Sequence, residues 1–147
     1  MQTSTATVWK IVRRLLVVAV LGYGVLALLS IYVFPIRYPY CGDQTKYLNG
    51  GERVYVGRKF KIVLCGNGGD ELYNHDKIRM QIFSENGTLL AQRKFYADWN
   101  GTPIRIEYYS DHLLYFDDAS KGSGFQNRVS MPPTWLDWIR ARLPLVD

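Results

Sequence analysis

The hydrophobic pattern is dominated by one long apolar run near the amino terminus. Residues 15–34 read LLVVAVLGYGVLALLSIYVF, which is twenty residues without a charge. As an α-helix rising about 1.5 Å per residue, this run is about 30 Å long, which is the thickness of the hydrocarbon core of a bilayer. The pattern therefore predicts a transmembrane anchor over residues 15–34 that contacts the lipid bilayer, preceded by a cytoplasmic tail of residues 1–14.

Three basic residues ahead of the run predict its orientation. Lys10, Arg13 and Arg14 form a cluster of the kind that stays on the cytoplasmic side of a membrane. Residues 35–147 are then expected outside the cytoplasm, as a single extracytoplasmic domain. A signal peptide cleaved after Ala27 is the alternative. The apolar run continues for seven residues beyond Ala27, which favours an uncleaved anchor.

From Arg53 onward the apolar positions recur at every second residue, which is typical of half-buried strands. Five segments are predicted as strands: RVYVGRKFKIVLC, KIRMQIFS, LLAQRKFYA, PIRIEYY and LLYFDD. Gly57, inside the first of them, is expected to mark a bulge or bend. Asn86-Gly87 predicts a tight hairpin turn between the second and the third. Because short connections favour antiparallel neighbours, the strands are expected to form a meander or a small sandwich.

The last periodic segment, WLDWIRARL, predicts a helix. Trp135, Trp138, Ile139 and Arg142 share one face of it, and this face is expected to pack on the sheet. Contact with lipid head groups or with a partner is the alternative. The predicted fold is mainly β, of the α+β class. It has a single N-terminal transmembrane helix and then a small antiparallel β domain of about five strands with one C-terminal helix.

Net charge and cysteines change this picture only slightly. The chain carries a net charge of +5, but three of its basic residues precede the anchor, so the domain is only about +2. No nucleic-acid partner is therefore expected, despite a pI of 9.2. Cys41 and Cys65 both lie on the exported side, where disulfides persist. They are predicted to form one disulfide, with two free buried thiols as the alternative.

The sequence offers little to support metal binding or catalysis. Asp70, Glu71, His75 and Asp76 supply four possible metal ligands within seven residues, but their spacing matches no metal motif, so a polar loop is favoured. Neighbouring carboxylates on a strand, as at Asp117-Asp118, point to opposite faces and are better explained as a turn. We predict no metal, no small-molecule cofactor, no catalytic residue and no enzymatic activity.

Aromatic residues are the strongest sign of a binding role, because Tyr, Trp and Arg dominate the hot spots of protein interfaces. Packing in a small core is the alternative use for them. The loops expected to carry the binding surface are Gly66 to Asp76 and Ala119 to Asn127, together with a turn at Trp99. The predicted binding residues are Asp70, Glu71, Tyr73, His75, Trp99, Tyr109 and Phe125.

These features together predict a single-pass protein of a bacterial inner membrane, with a periplasmic domain that recognises a protein partner. Its general architecture looks like that of small anchored periplasmic proteins that neutralise a toxin or assist secretion, and an immunity or inhibitor protein is the favoured function. A structural or accessory subunit of an envelope or secretion complex is the first alternative. A small envelope hydrolase is the second.

Overall fold

A computed structural model of the chain describes residues 5–32, 37–68, 75–98, 105–118 and 126–143. The chain divides into two units, Met1–Pro35 and Ile36–Asp147, which are described separately. The elements are α1 (Thr5–Tyr32), α2 (Gly42–Tyr47), β1 (Gly51–Tyr55), β2 (Arg58–Gly66), β3 (His75–Ser84), β4 (Leu89–Asp98), β5 (Glu107–Tyr108), β6 (His112–Phe116), β7 (Gln126–Ser130) and α3 (Trp135–Arg140).

The described residues of the first unit form the helix α1. Its segment Val8–Leu29 is long and apolar enough to cross a membrane, and none of its most apolar window is buried within the protein. Lys10, Arg13 and Arg14 lie on the helix itself, because α1 begins before the apolar run. Length and composition of this kind are shared by membrane anchors and by signal sequences.

The second unit is built on a four-stranded antiparallel sheet in the order β1-β2-β3-β4. Successive side chains of a strand point to opposite faces, so alternate residues of the central strands reach one core. The inner face carries the buried residues Phe60, Ile62, Leu64, Ile78, Met80, Ile82, Ala91 and Phe95. The hairpin predicted at Asn86-Gly87 is confirmed, since β3 and β4 pair across this turn.

A three-stranded antiparallel sheet, β5-β6-β7, contributes to the same core. Phe95 of β4 and Tyr115 of β6 pack with their ring centroids 5.1 Å apart. The predicted class, an N-terminal apolar helix followed by a small antiparallel β domain with a short C-terminal helix, is confirmed. The described residues contain seven strands rather than about five.

One extra strand arises because the first predicted strand is a hairpin. Val56 and Gly57 form its turn, with φ angles of 49° and 71°, so Gly57 marks a reversal and not a bulge. The register pairs Tyr55 with Arg58, which places odd-numbered residues of β1 on the same face as even-numbered residues of β2. Val54 and Val56 are consequently 65% and 81% exposed, instead of sharing the core face of Phe60 as predicted.

Other elements had no clear sequence signal. The six residues of α2 come before the first predicted strand and were assigned no helix, and α2 buries none of its own residues. Gln126 and Asn127 were expected in a loop but begin β7, a strand in which only Val129 is buried. The predicted strand PIRIEYY is reduced to Glu107–Tyr108 among the described residues.

The predicted disulfide between Cys41 and Cys65 is confirmed. It belongs to a segment that completes the edge of β2 beyond the end of β1. Tyr40 forms an antiparallel bridge with Gly66. The Thr45 hydroxyl donates to the Leu64 carbonyl at 3.0 Å and accepts from the Leu64 N–H at 2.9 Å. The chain is therefore fastened to the sheet by a covalent bond and by hydrogen bonds where it first reaches it.

Candidate functional site

Most of the predicted binding residues lie outside the described residues. This applies to Asp70, Glu71, Tyr73, Trp99 and Phe125. His75 is the first residue of β3, where it pairs with Asp98 of β4. The described structure therefore does not bring the predicted set together as one site.

Tyr109 belongs to an exposed polar cluster at the turn between β5 and β6. Its ring stacks on the ring of His112, with the centroids 4.7 Å apart. Its hydroxyl donates to Glu107 Oε2 at 2.8 Å, and this hydrogen bond raises the pKa of the phenol. His112 Nδ1 lies 2.7 Å from Asp111 Oδ1, and this contact lowers the pKa of Asp111. The cluster presents hydrogen-bonding groups and a pair of stacked rings, a combination that suits recognition of a binding partner.

Asp76, one of the four possible metal ligands, has a structural role. Its buried carboxylate accepts hydrogen bonds from the backbone N–H groups of Asn67 and Gly68 and from the side chain of Gln44. A Cβ at Gly66 would lie 2.2 Å from Asp76 Oδ2, which explains the glycine at that position. Among the residues that the structure describes, no group of three or more His, Cys, Asp or Glu side chains is placed to hold a metal ion.

Asp117 and Asp118 bind the edge of β4 rather than forming a pair of acids. Asp117 Oδ1 accepts from the N–H of Tyr96 at 3.0 Å, and the N–H of Asp118 donates to the Tyr96 carbonyl at 3.0 Å. These two bonds connect the end of β6 to the exposed edge of the four-stranded sheet.

The expectation that Trp135 and Trp138 pack on the sheet is wrong. Trp135, Leu136 and Trp138 are 70%, 48% and 44% exposed, and we call these three residues the Trp surface. The buried residue of α3 is Asp137. The helix therefore presents its acidic residue to the domain and its largest apolar residues to solvent.

A buried ion pair explains this orientation. Arg93 lies on the inner face of β4, is itself buried, and donates to Asp137 Oδ1. Asp137 also accepts from the N–H and the hydroxyl of Thr134, and its own N–H donates to Thr134 Oγ1, so that the two residues form a capping box at the start of α3. Burial opposes the ionisation of Asp137, but the hydrogen bonds from Thr134 and Arg93 outweigh it and lower the pKa.

Arg142 fixes the other end of α3. Its guanidinium donates to the carbonyls of Trp138 and Leu89, at 2.9 Å and 3.1 Å, and stacks over the Trp138 ring at 3.8 Å. The ring of Trp138 is thus held in place from one side while its other surface stays exposed. One sequence signal for this geometry exists: Arg93 occupies an inward position of the strand LLAQRKFYA, where a cation needs a buried acid as partner.

The outer face of the four-stranded sheet is basic, a feature that depends on strand register and that no local sequence pattern predicts. It carries Lys59, Lys61, Lys77, Arg79 and Lys94. A concavity of about 690 Å³ follows part of this face, between the disulfide and the β3–β4 turn, and its lining includes Lys59, Lys61 and Arg79. Arg79 stacks on the ring of Tyr38 at 4.6 Å, and Lys77 lies over the ring of Tyr96 at 5.5 Å.

No known protein family, curated protein or solved structure matches this chain. Its function must therefore be inferred from the geometry of the domain.

Proposed function

We propose that this chain is a single-pass protein of a bacterial inner membrane whose periplasmic domain binds a protein partner without catalysis. In this proposal α1 is an uncleaved anchor with its amino terminus in the cytoplasm, as the cluster Lys10, Arg13 and Arg14 favours. The observation that carries the proposal is the Trp surface of α3.

The Trp surface has the composition of an interface hot spot. Soluble domains rarely leave two tryptophans and a leucine exposed on one short helix without a binding role. Tryptophan and arginine are the residue types enriched in hot spots, and Arg142 lies directly on Trp138. The capping box and the Arg93–Asp137 pair hold the helix that carries these side chains in place, which reduces the entropy that a partner must overcome on binding.

The position of α3 on the sheet favours a protein over the membrane as the occupant of the Trp surface. Asp137, between Leu136 and Trp138, pairs with Arg93 on the inner face of β4. Tyr38, in the segment that leads back to α1, stacks instead on Arg79 on the outer face of β3. The Trp surface and the segment that leads back to α1 therefore contact opposite faces of the sheet.

The partner class that we propose is a toxin, so that the chain acts as an immunity or inhibitor protein. Support comes from the small, disulfide-linked domain and from the structural use of the acids Asp76, Asp117 and Asp137 in the described residues, each of which is engaged in hydrogen bonds. An accessory subunit of an envelope complex uses the same kind of surface, and the second of two experiments separates these functions.

The first experiment tests the surface. A photo-crosslinking phenylalanine analogue is placed at position 135 of the full chain in its host. The matched control carries it at position 54 on β1, because Val54 is 65% exposed, close to the 70% of Trp135. We expect a discrete protein adduct from position 135 and none from position 54. Equal adducts from both positions, or none from position 135, would contradict the proposal.

The second experiment tests the partner class. Cells that lack the chain are grown together with their parent, and the fitness of each is measured with and without contact between them. If the chain is an immunity protein, the deletion strain should have lower fitness than its parent only when the two strains are in contact. If the two strains have equal fitness in contact and the deletion strain has an envelope defect when grown alone, the accessory-subunit function would replace the immunity function.

A further inference from the structure

One end of the outer sheet face is rich in cations and tyrosines. Lys77, Arg79 and Lys94 lie there on neighbouring strands, with Tyr96 opposite Lys77 and Tyr38 stacked on Arg79. We call these five residues the Arg79 patch. Arg79 pairs in register with Cys65 on β2, so the patch adjoins the disulfide where the chain reaches the sheet.

Two cations of the patch, Lys77 and Arg79, are poorly compensated by the described part of the domain. Arg79 and Lys94 are directly opposite each other, an arrangement of like charges that destabilises a sheet. Arg79 Nε is buried and has no hydrogen-bond partner. In the described part of the chain, no acidic side chain lies within salt-bridge distance of Lys77 or Arg79. An anion supplied from outside would compensate this charge through the terminal N–H groups of Arg79.

The length of the connecting chain limits the distance between the Arg79 patch and the end of α1. Tyr32 is the last residue of α1, and Tyr38 is already part of the patch. The six peptide units between them span at most roughly 21 Å, whatever the angle between the two units. If α1 ends at a membrane surface, the Arg79 patch is tethered within reach of the phospholipid head groups.

We propose that the Arg79 patch docks on anionic phospholipid head groups of the leaflet in which α1 ends. The inference rests on the proposed anchor. The guanidinium of Arg79 offers paired donors that match a phosphate, and its stacking on Tyr38 holds it in one orientation. Tyrosines are enriched at membrane interfaces, where Tyr38 and Tyr96 would then lie.

The tether favours a lipid over an acidic polypeptide as the source of the anion. A head group near the end of α1 is present at high effective concentration, so even weak contacts with it are occupied. A free acidic peptide has no such advantage. Docking through the Arg79 patch would also hold the domain by one end of its sheet, which leaves the Trp surface accessible to a partner.

The test uses the full chain reconstituted into vesicles of phosphatidylcholine alone, or of three parts phosphatidylcholine to one part phosphatidylglycerol. The rate of acylation of each lysine by a water-soluble reagent is followed by mass spectrometry, with Lys59 and Lys61, at the other end of the same face, as internal controls. We expect Lys77 to react about fivefold more slowly with phosphatidylglycerol present, the effect of one cation near an anionic surface. About 1 M salt, where the Debye length is about 3 Å, should remove the protection.

Two variants sharpen the result. Arg79→Gln should lose the protection of Lys77, whereas Lys61→Gln should keep it, and both are compared after their melting temperatures are shown to match the wild type. Equal Lys77 rates in the two vesicles would overturn the proposal. So would protection by added polyglutamate but not by phosphatidylglycerol, which would assign the patch to an acidic polypeptide.

Flotation separates this failure from failure of the anchor. The chain is expected to float with both kinds of vesicle after extraction at high pH. A chain that floats with both but shows no protection disproves the docking and leaves the anchor intact. A chain that is extracted from both disproves the anchor on which the docking depends.

Discussion

Two helices of this chain leave large apolar side chains exposed, and they do so for different reasons. In α1 the apolar segment Val8–Leu29 finds nothing within its own unit to pack against. In α3 a sheet is available, yet the helix turns Asp137 toward it and Trp135 and Trp138 away. The exposure of α1 follows from its composition, whereas the exposure of α3 follows from one buried ion pair.

This difference shows what decides the buried face of a short helix. Six residues offer too little apolar area for periodicity alone to determine the orientation. Arg93, fixed on the inner face of β4, requires an acid, and an unpaired buried charge costs more than exposing a tryptophan. The comparison can be tested by changing each helix in turn.

The largest effect is expected in α1. Leu21→Arg together with Val25→Arg places two charges near the middle of the apolar segment, at a cost of about 5–7 kcal/mol for membrane insertion. The variant should be extracted by alkaline carbonate, whereas the wild-type chain should not. Val54→Arg, which changes an exposed residue of β1, is the matched control and should remain in the membrane. Retention of the double variant would show that α1 is not held by lipid.

The next effect concerns the ion pair of α3. Asp137→Ala leaves Arg93 buried without its acid and should lower the free energy of unfolding by about 3 kcal/mol. Thermal unfolding of the full chain in detergent measures this. Asp43→Ala, at an exposed acid of α2, should change it by less than about 0.5 kcal/mol.

A double variant tests whether burial of an unpaired charge is the cause. Arg93→Met with Asp137→Leu replaces the pair by apolar side chains of similar size, and this should recover most of the lost stability. If the double variant is as unstable as Asp137→Ala, the loss of the capping box at Thr134 is the better explanation.

The sequence was sufficient for those elements whose signals are local. Ile78, Met80 and Ile82 alternate with polar residues, and Asn86-Gly87 supplies the positive φ of a hairpin turn, at 80° for Gly87. The two cysteines allow only one pairing, which the structure contains. The strand and the turn are each specified by residues close together in the chain. The disulfide is specified because two cysteines allow only one pairing.

The candidate surfaces depended on pairings between distant segments, which no local pattern contains. Arg93 and Asp137 are 44 residues apart. The Arg79 patch exists only because the register of β2, β3 and β4 brings its cations together, with Tyr38 from outside the sheet. The hairpin at Val56-Gly57 was missed because apolar alternation continued through the turn. The binding residues predicted in the loops, apart from His75 and Tyr109, lie outside the described residues.

A smaller effect than that of Asp137→Ala is expected from pH. The pKa of Asp137 is lowered in the folded protein, so the stability that its carboxylate contributes is present above the unfolded pKa of about 3.9. That contribution is lost as the pH falls through the lower, folded pKa. The melting temperature of the wild type should therefore approach that of Asp137→Asn below pH about 4, when both are measured across this range.

A matched acid on the surface sharpens the pH measurement. Asp111 also has a lowered pKa, from its hydrogen bond to His112, but it is fully exposed. Because solvent screens exposed charge pairs, Asp111→Asn should leave the pH dependence nearly unchanged. If Asp111→Asn changes the melting temperature at acid pH as much as Asp137→Asn does, the buried ion pair is not the source of the pH dependence of stability.

The smallest effect on stability is expected at the Trp surface, and this is the most direct test of the comparison. Trp135→Ala removes a side chain that is 70% exposed, so the free energy of unfolding should change by less than about 1 kcal/mol. Leu113→Ala, at a fully buried residue of β6, should cost about 2–5 kcal/mol in the same assay. A loss of about 3 kcal/mol or more at Trp135 would be typical of a buried aromatic and would mean that α3 packs through its tryptophans after all. A stable Trp135→Ala variant that no longer captures its partner would instead assign the exposed indole to binding, because its removal leaves the fold intact.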